Sequence, residues 1–267
     1  MTKKALIVGI NDYQKINDLK GCLNDVQNMR DFLKDYKEFK IENIRVLTDG
    51  RATKQNIINR LNWLVEGSKS GDVLVFHFSG HGSQIRDRNG DEISDSLDEL
   101  LCPYDMNWDS NYILDDELEA IFNKVHKDTL VEIFLDCCHS GTGLREMQSH
   151  FALSKERFLP QPLDIMLRWQ GIENVLNVYK MSCIVKANQI LWSGCQDSQT
   201  SADAFIDGNY NGAFTFYLLK HLRENSNQSR KDLLVNLRNS LKNHGYSQIP
   251  QLEFYNSNVK KGTVFKP

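Results

Sequence analysis

The sequence has no long hydrophobic run. None of its apolar stretches approaches the ~20 residues that a membrane-crossing helix needs, so no membrane span is expected. It has no basic excess either: 32 Lys and Arg against 35 Asp and Glu leave a net charge of −3. Nothing in that balance suggests an electrostatic nucleic-acid binder, which needs a basic face. Proline is scarce at 5 and glycine ordinary at 16, so the chain is neither low-complexity nor collagen-like. Six cysteines in 267 residues are too few for a disulfide scaffold. No Cys-x-x-Cys pair offers a structural zinc site. Free thiols in a reducing, cytoplasmic setting are the expectation. What is present is 40% hydrophobic and 25% charged residues, an ordinary globular balance.

The apolar run at 5–10 leads straight into Asn11-Asp12-Tyr13 and reads as a first strand, not a signal peptide. Further strands are expected at 44–47, 72–78, 129–135, 189–192 and 249–255. Helical spacing of Leu23, Val26, Met29, Phe32, Leu33 and Tyr36 predicts a helix over 22–39. Thr53 is the expected N-cap of a second helix through Ile57, Leu61 and Leu64. Helices are also expected at 116–125, 213–223 and 230–242. Strands alternating with helices imply an α/β fold, with a mostly parallel sheet covered on both faces. Two stretches break the rhythm: the acidic 82–108 and the aperiodic 143–186. Loops this long in a single domain are usually functional or disordered.

In open parallel sheets, ligands bind beyond the carboxyl ends of the strands. Two strands here end in reactive groups, Phe78-Ser79-Gly80-His81-Gly82 and Asp136-Cys137-Cys138-His139-Ser140-Gly141. Fifty-seven residues separate His81 from Cys138, room for one crossover, so both side chains can meet at one sheet edge. A thiolate nucleophile with imidazole as proton acceptor and donor is the chemistry of such a pair. Backbone N–H groups at Gly82 and Cys138 are candidate oxyanion donors. Each residue alone has a blander explanation: a turn histidine, a packed thiol. His77 is read as core and His139 as pointing away. A metal site of His81, Cys137, Cys138 and His139 is disfavoured, because adjacent strand residues face opposite ways.

These segments resemble the metacaspase and orthocaspase branch of the caspase-like cysteine peptidases. So do Gly9-Ile10-Asn11-Asp12-Tyr13, Leu19-Lys20-Gly21-Cys22-Leu23-Asn24-Asp25, Asp95-Ser96-Leu97-Asp98-Glu99, Pro103-Tyr104-Asp105, Leu114-Asp115-Asp116-Glu117-Leu118 and the run from Ser193 to Asp203. The resemblance implies a caspase-like three-layer sandwich with a central sheet of about six strands. The whole of 1–267 is then one peptidase domain: a large-subunit-like part at 1–142, a linker at 143–187 and a small-subunit-like part at 188–267. Little sequence is left for an adaptor. The family pattern places the nucleophile at Cys138, not Cys137.

A carboxylate near the nucleophile favours a cationic substrate side chain. The resemblance implies the same, cleavage of protein or peptide substrates after Arg or Lys. Its basic-residue pocket carries over to Asp25 and Asp136, with Ser79 and Cys22 nearby. Trp192 and Ser193 are expected to pair their backbone with an extended peptide. Clustered acids after His81 suit a hard cation, and the resemblance maps calcium ligands onto Asp98, Asp115 and Asp116. A further acidic ligand of the pattern is Arg145 here, which repels calcium. No cofactor is therefore required, and calcium dependence is expected to be weak or absent. Self-cleavage in the linker is expected at one of Arg145, Lys155, Arg157, Arg168, Lys180 or Lys186. The resemblance also implies a monomer. The competing reading is a catalytically silent caspase-like scaffold or binding module.

Overall fold

The computed structural model describes residues 1–86, 97–138, 154–168, 189–196, 199–255 and 260–266. In chain order the elements are β1 (Lys3–Gly9), α1 (Cys22–Lys37), β2 (Ile44–Thr48), α2 (Lys54–Val65), β3 (Val73–Ser79), β4 (Gly82–Arg86), β5 (Leu97–Leu101), β6 (Ile113–Leu114), α3 (Asp115–Phe122), β7 (Leu130–Asp136), β8 (Lys155–Glu156), α4 (Leu163–Arg168), β9 (Gln189–Ser193), β10 (Ala202–Ile206), β11 (Asn209–Gly212), α5 (Ala213–Glu224), α6 (Arg230–Asn243) and β12 (Gln251–Phe254). Six strands form the main sheet in the order β12-β9-β7-β3-β1-β2. All pairs are parallel except β12 with β9.

β3 and β7 are buried along their whole length, and β1 is buried from Ala5 onward. Buried central strands of a parallel sheet need apolar residues at every position, not every second one. Alternate residues then serve two cores. Leu6, Val8, Phe76 and Ile133 pack with Leu61 and Leu64 of α2 and Leu118 and Phe122 of α3. Ala5, Ile7, Val75 and Phe134 pack with Phe32 and Leu33 of α1, Leu218 of α5 and Leu237 of α6. A period of two along each strand sends successive side chains to opposite layers. Thr53 caps α2 as expected, its hydroxyl accepting from the Asn56 N–H at 3.3 Å.

A carboxylate interrupts the middle of β7. Glu132 is fully buried, and it is saturated by Trp192 Nε1 at 2.9 Å, the Phe265 N–H at 3.0 Å and the Arg230 guanidinium. A buried carboxylate is tolerable only with such a set of donors.

Two small sheets flank the main one, β4-β5-β6 and β11-β10-β8. The first replaces part of the loop expected at 82–108. Register places the ends of the central strands level, with Gly9 opposite Ser79 and Ser79 opposite Asp136. His81 follows β3 by two residues and Cys138 follows β7 by two. Both therefore leave the sheet at its carboxyl edge.

Candidate active site

His81 is held from two sides. Its backbone N–H donates to the Tyr13 hydroxyl at 2.8 Å, and the two rings lie 5.1 Å apart. Its Nε2 is 2.8 Å from the carbonyl oxygen of Asn17. A carbonyl only accepts, so the proton sits on Nε2 and the lone pair on Nδ1. Nδ1 is buried and has no hydrogen-bond partner among the described residues. Burial pulls the imidazole down to about 4, with Asn17 opposing the shift and Arg157 adding to it. At neutral pH His81 is an uncharged ring with one free basic nitrogen.

Cys138 is fully buried. Its Sγ accepts from the Ser201 N–H and lies 3.4 Å from the Sγ of Cys195. It makes no hydrogen bond to His81. Cys137 faces the core of α2 and α3, and burial pushes its thiol up. The two neighbouring cysteines thus have separate surroundings, as strand geometry demands.

Arg157 lies against Gly82 and Cys138 at the carboxyl edge of the sheet. It is fully buried and enters as the continuation of β8, which pairs antiparallel with β10. Nη2 bonds Asp25 at 2.8 Å and Asp203 at 3.1 Å. Nη1 bonds the Ser79 hydroxyl at 2.8 Å and lies 3.2 Å from Asp136 Oδ2. Burial opposes the charge, but Asp136, Asp25 and Asp203 outweigh it and raise the guanidinium well above its ordinary value. The Arg157 N–H donates to Ser201 O at 3.0 Å. Its carbonyl oxygen accepts from two N–H groups, Gly82 at 3.1 Å and Cys138 at 3.2 Å.

The carboxylates are pre-set by other donors. Asp136 accepts from Ser201 Oγ at 2.6 Å and Thr215 Oγ1 at 2.7 Å. Thr215 in turn accepts from His77 Nε2 at 3.2 Å, so His77 has a buried supporting place. Asp203 accepts from the Lys20 and Gly21 N–H groups at 2.7 and 2.8 Å. Asp25 accepts from Ser79 Oγ at 2.7 Å and the Gly212 N–H at 3.0 Å. Burial pushes Asp25 up to about 7, and Arg157 pulls it back. Burial likewise drives the nearby Cys22 thiol up to about 12. Gly212 forms one wall: a Cβ there would overlap Asp136 Oδ2 and Arg157 Nη1. Such a pocket fits one long cationic side chain and repels an anionic one.

Of the residues expected here, Gly82, Cys138, Asp25, Asp136 and Ser79 all bond Arg157, and Cys22 is buried beside them, while the His81 ring bonds Asn17 and packs on Tyr13. Trp192 and Ser193 do not join them. The Trp192 indole is buried, stacked on Phe134 and bonded to Glu132. The edge of β9 that was to receive a peptide is taken by β12, with Ser193 opposite Gln251. The extended segment pairs instead with β10. Asp203, Ser201, Thr215 and the Asn17 carbonyl were not anticipated. Asp203 lay within a run that was compared with the family, and a backbone carbonyl leaves no sequence signal. His139 and Arg145 lie outside the described residues, as do Lys180 and Lys186.

Asp98 sits on β5, and Asp115 and Asp116 open α3. Among the described residues no three His, Cys, Asp or Glu side chains converge as a metal site would need. Among those residues too, no helix is long and apolar enough to cross a membrane.

The model of the metacaspase, peptidase C14 domain matches residues 3–146. The chain belongs to the metacaspase family. It is a caspase-like cysteine peptidase. Over 94% of its length it is 33% identical to Metacaspase-1A of Aspergillus oryzae and 34% identical to that of Aspergillus terreus, covering 67% and 70% of those proteins. A crystal structure of a Geobacter sulfurreducens protein superposes with a TM-score of 0.73 at 25% identity, over 100% of this chain and 99% of that one. This metacaspase thus has the mainly parallel six-stranded sheet and flanking helices of the caspase-like sandwich.

Proposed function

We propose that this metacaspase is an endopeptidase that cuts after Arg or Lys, and that its own Arg157–Phe158 bond is a substrate. One observation carries the reading. Arg157 has its guanidinium among three carboxylates while its carbonyl oxygen rests on the N–H groups of Gly82 and Cys138. Those are the two recognition events a basic-residue peptidase must combine: charge pairing at the side chain and oxyanion stabilisation at the reacting carbonyl.

The chemistry follows from the groups present. The Cys138 sulfur first turns away from Ser201 and Cys195, by rotation about χ1, toward the Arg157 carbonyl carbon. His81 Nδ1 takes the thiol proton as sulfur attacks. The carbonyl electron pair moves onto oxygen, where Gly82 and Cys138 donate their N–H groups. The C–N bond to Phe158 then breaks, and Nδ1 returns the proton to the departing nitrogen. Water attacks the thioester, gives a proton to Nδ1 and releases the carboxylate, and the thiol is restored. A Lys substrate would offer a point charge in place of the fork that Arg presents to Asp25, Asp136 and Asp203.

Wild-type and Cys138→Ala proteins, purified in parallel, test the reading. A fragment with Phe158 at its N-terminus in wild type alone is expected, together with hydrolysis of fluorogenic peptides ending in Arg or Lys but not Asp. Identical fragments in both proteins, or no turnover of basic peptides, would reject it.

A further inference from the structure

The segment around Arg157 continues through the site in an extended form, and the second half has its own contacts. Before the bond, Lys155 and Glu156 pair with Asp203 and Ala202 of β10. After it, Phe158 bridges Gly82 of β4 in parallel. The Leu159 N–H donates to Gly82 O at 2.9 Å. The Ser83 hydroxyl donates to Leu159 O at 2.6 Å, and Gln161 Nε2 reaches Gln84 O. The chain therefore changes partner at the proposed scissile bond, from β10 to β4.

Side-chain burial along this segment alternates with the two-residue period of an extended chain. Lys155, Glu156 and Pro160 are exposed and Phe158 is half-buried. Only Arg157, at 0%, and Leu159, at 9%, are buried. Leu159 joins the hydrophobic core that also holds Tyr13, Ile85 and Met106. A cavity of about 440 Å³ with a mixed wall adjoins it, Ile16, Met106, Trp108 and Ile165 standing beside Lys15 and Asp109. The Leu159 side chain itself thus sits among apolar groups while its backbone is held by Gly82 and Ser83, the usual build of a side-chain subsite.

We propose that the cleft reads a substrate at two positions: a basic residue before the scissile bond and an aliphatic residue two places after it. The inference rests on the function proposed above and extends it. Backbone pairing to β4 aligns the leaving half of the peptide, and the apolar surroundings of Leu159 select its second residue. The first and third residues after the bond face outward and are read weakly.

Internally quenched peptides of sequence Lys-Glu-Arg-Phe-X-Pro, with X as Leu, Ile, Ala, Ser or Asp, test this against the wild-type protein. The expected kcat/KM falls about tenfold or more from Leu to Ser or Asp. The same changes made one place later, at the position of exposed Pro160, leave it unchanged. Equal turnover across the X series would overturn the subsite while leaving cleavage after Arg intact. Absence of cleavage throughout would overturn the underlying function.

Discussion

Cys138 donates its backbone N–H to the carbonyl oxygen of Arg157 at 3.2 Å. The residue proposed as nucleophile thus already holds the oxygen of the bond it would attack. Gly82 supplies the second donor because it has no side chain: a Cβ there would overlap Cys138 O. Gly82→Ala forces the two strand ends apart and spoils the oxyanion site. The expected result is a fall in kcat of about 10²–10³, with KM for an Arg peptide much less changed. Steady-state kinetics separate the two, and an unchanged kcat would remove Gly82 from the reaction.

Asp203 is bonded to Arg157 at 3.1 Å and fixed by two backbone donors. Asp203→Asn keeps the shape and removes one charge from the pocket. A charge-assisted hydrogen bond is worth roughly 1.5–3 kcal/mol, so kcat/KM for Arg peptides should fall on the order of ten- to a hundredfold. The loss should appear mainly in KM. A loss confined to kcat would place Asp203 elsewhere in the mechanism.

Arg157 also has a structural role that can be isolated in an uncut background. In Cys138→Ala, the further change Arg157→Met leaves Asp25, Asp136 and Asp203 facing one another without a cation. Stranding buried charge costs about 3–5 kcal/mol, readable in urea unfolding at pH 7. The deficit should shrink at pH 5, where a carboxylate can be protonated. A deficit independent of pH would mean lost packing rather than lost pairing.

The two titrating groups shift in opposite directions. His81 is pulled to about 4 from 6.5 by burial, so the unfolded chain binds more protons between those values. Its contribution to stability is present above 6.5 and lost as the pH falls through about 4. Asp25 is pushed up from 3.8 to about 7. Its contribution is present below 3.8 and lost as the pH rises through about 7. For activity, binding of a cation needs ionised Asp25 and the reaction needs neutral His81. KM for an Arg peptide should therefore climb as the pH falls below about 7, while kcat persists to nearer 4. A kcat that collapses around 6.5 would contradict the buried, neutral histidine.

The sequence was most legible where one physical demand dominates. β1, β3 and β7 must be apolar on both faces, so their positions were readable to within a residue or two. Thr53 announced its cap, and glycine beside His81 and the strand-end Cys138 announced the reactive edge. Legibility failed where polar residues are buried in small antiparallel strands. Asp98 and Glu99 are each 3% exposed within β5, so the alternation that marks a strand is missing. β8 has only two residues, and its identity depends wholly on β10. Trp192 was misplaced for a related reason. A strand end beside a reactive edge suits backbone pairing with a peptide, but β12 takes that edge of β9, with Trp192 opposite Leu252.

The ladder between β8 and β10 stays on the arginine side of the proposed cut. Hydrolysis at Arg157 would create a new chain terminus whose negative oxygens still lie against the Gly82 and Cys138 amides. Breaking the bond does not by itself vacate the groove. External peptides would then be processed only after a lag, its length set by the peeling of this strand rather than by the hydrolysis itself.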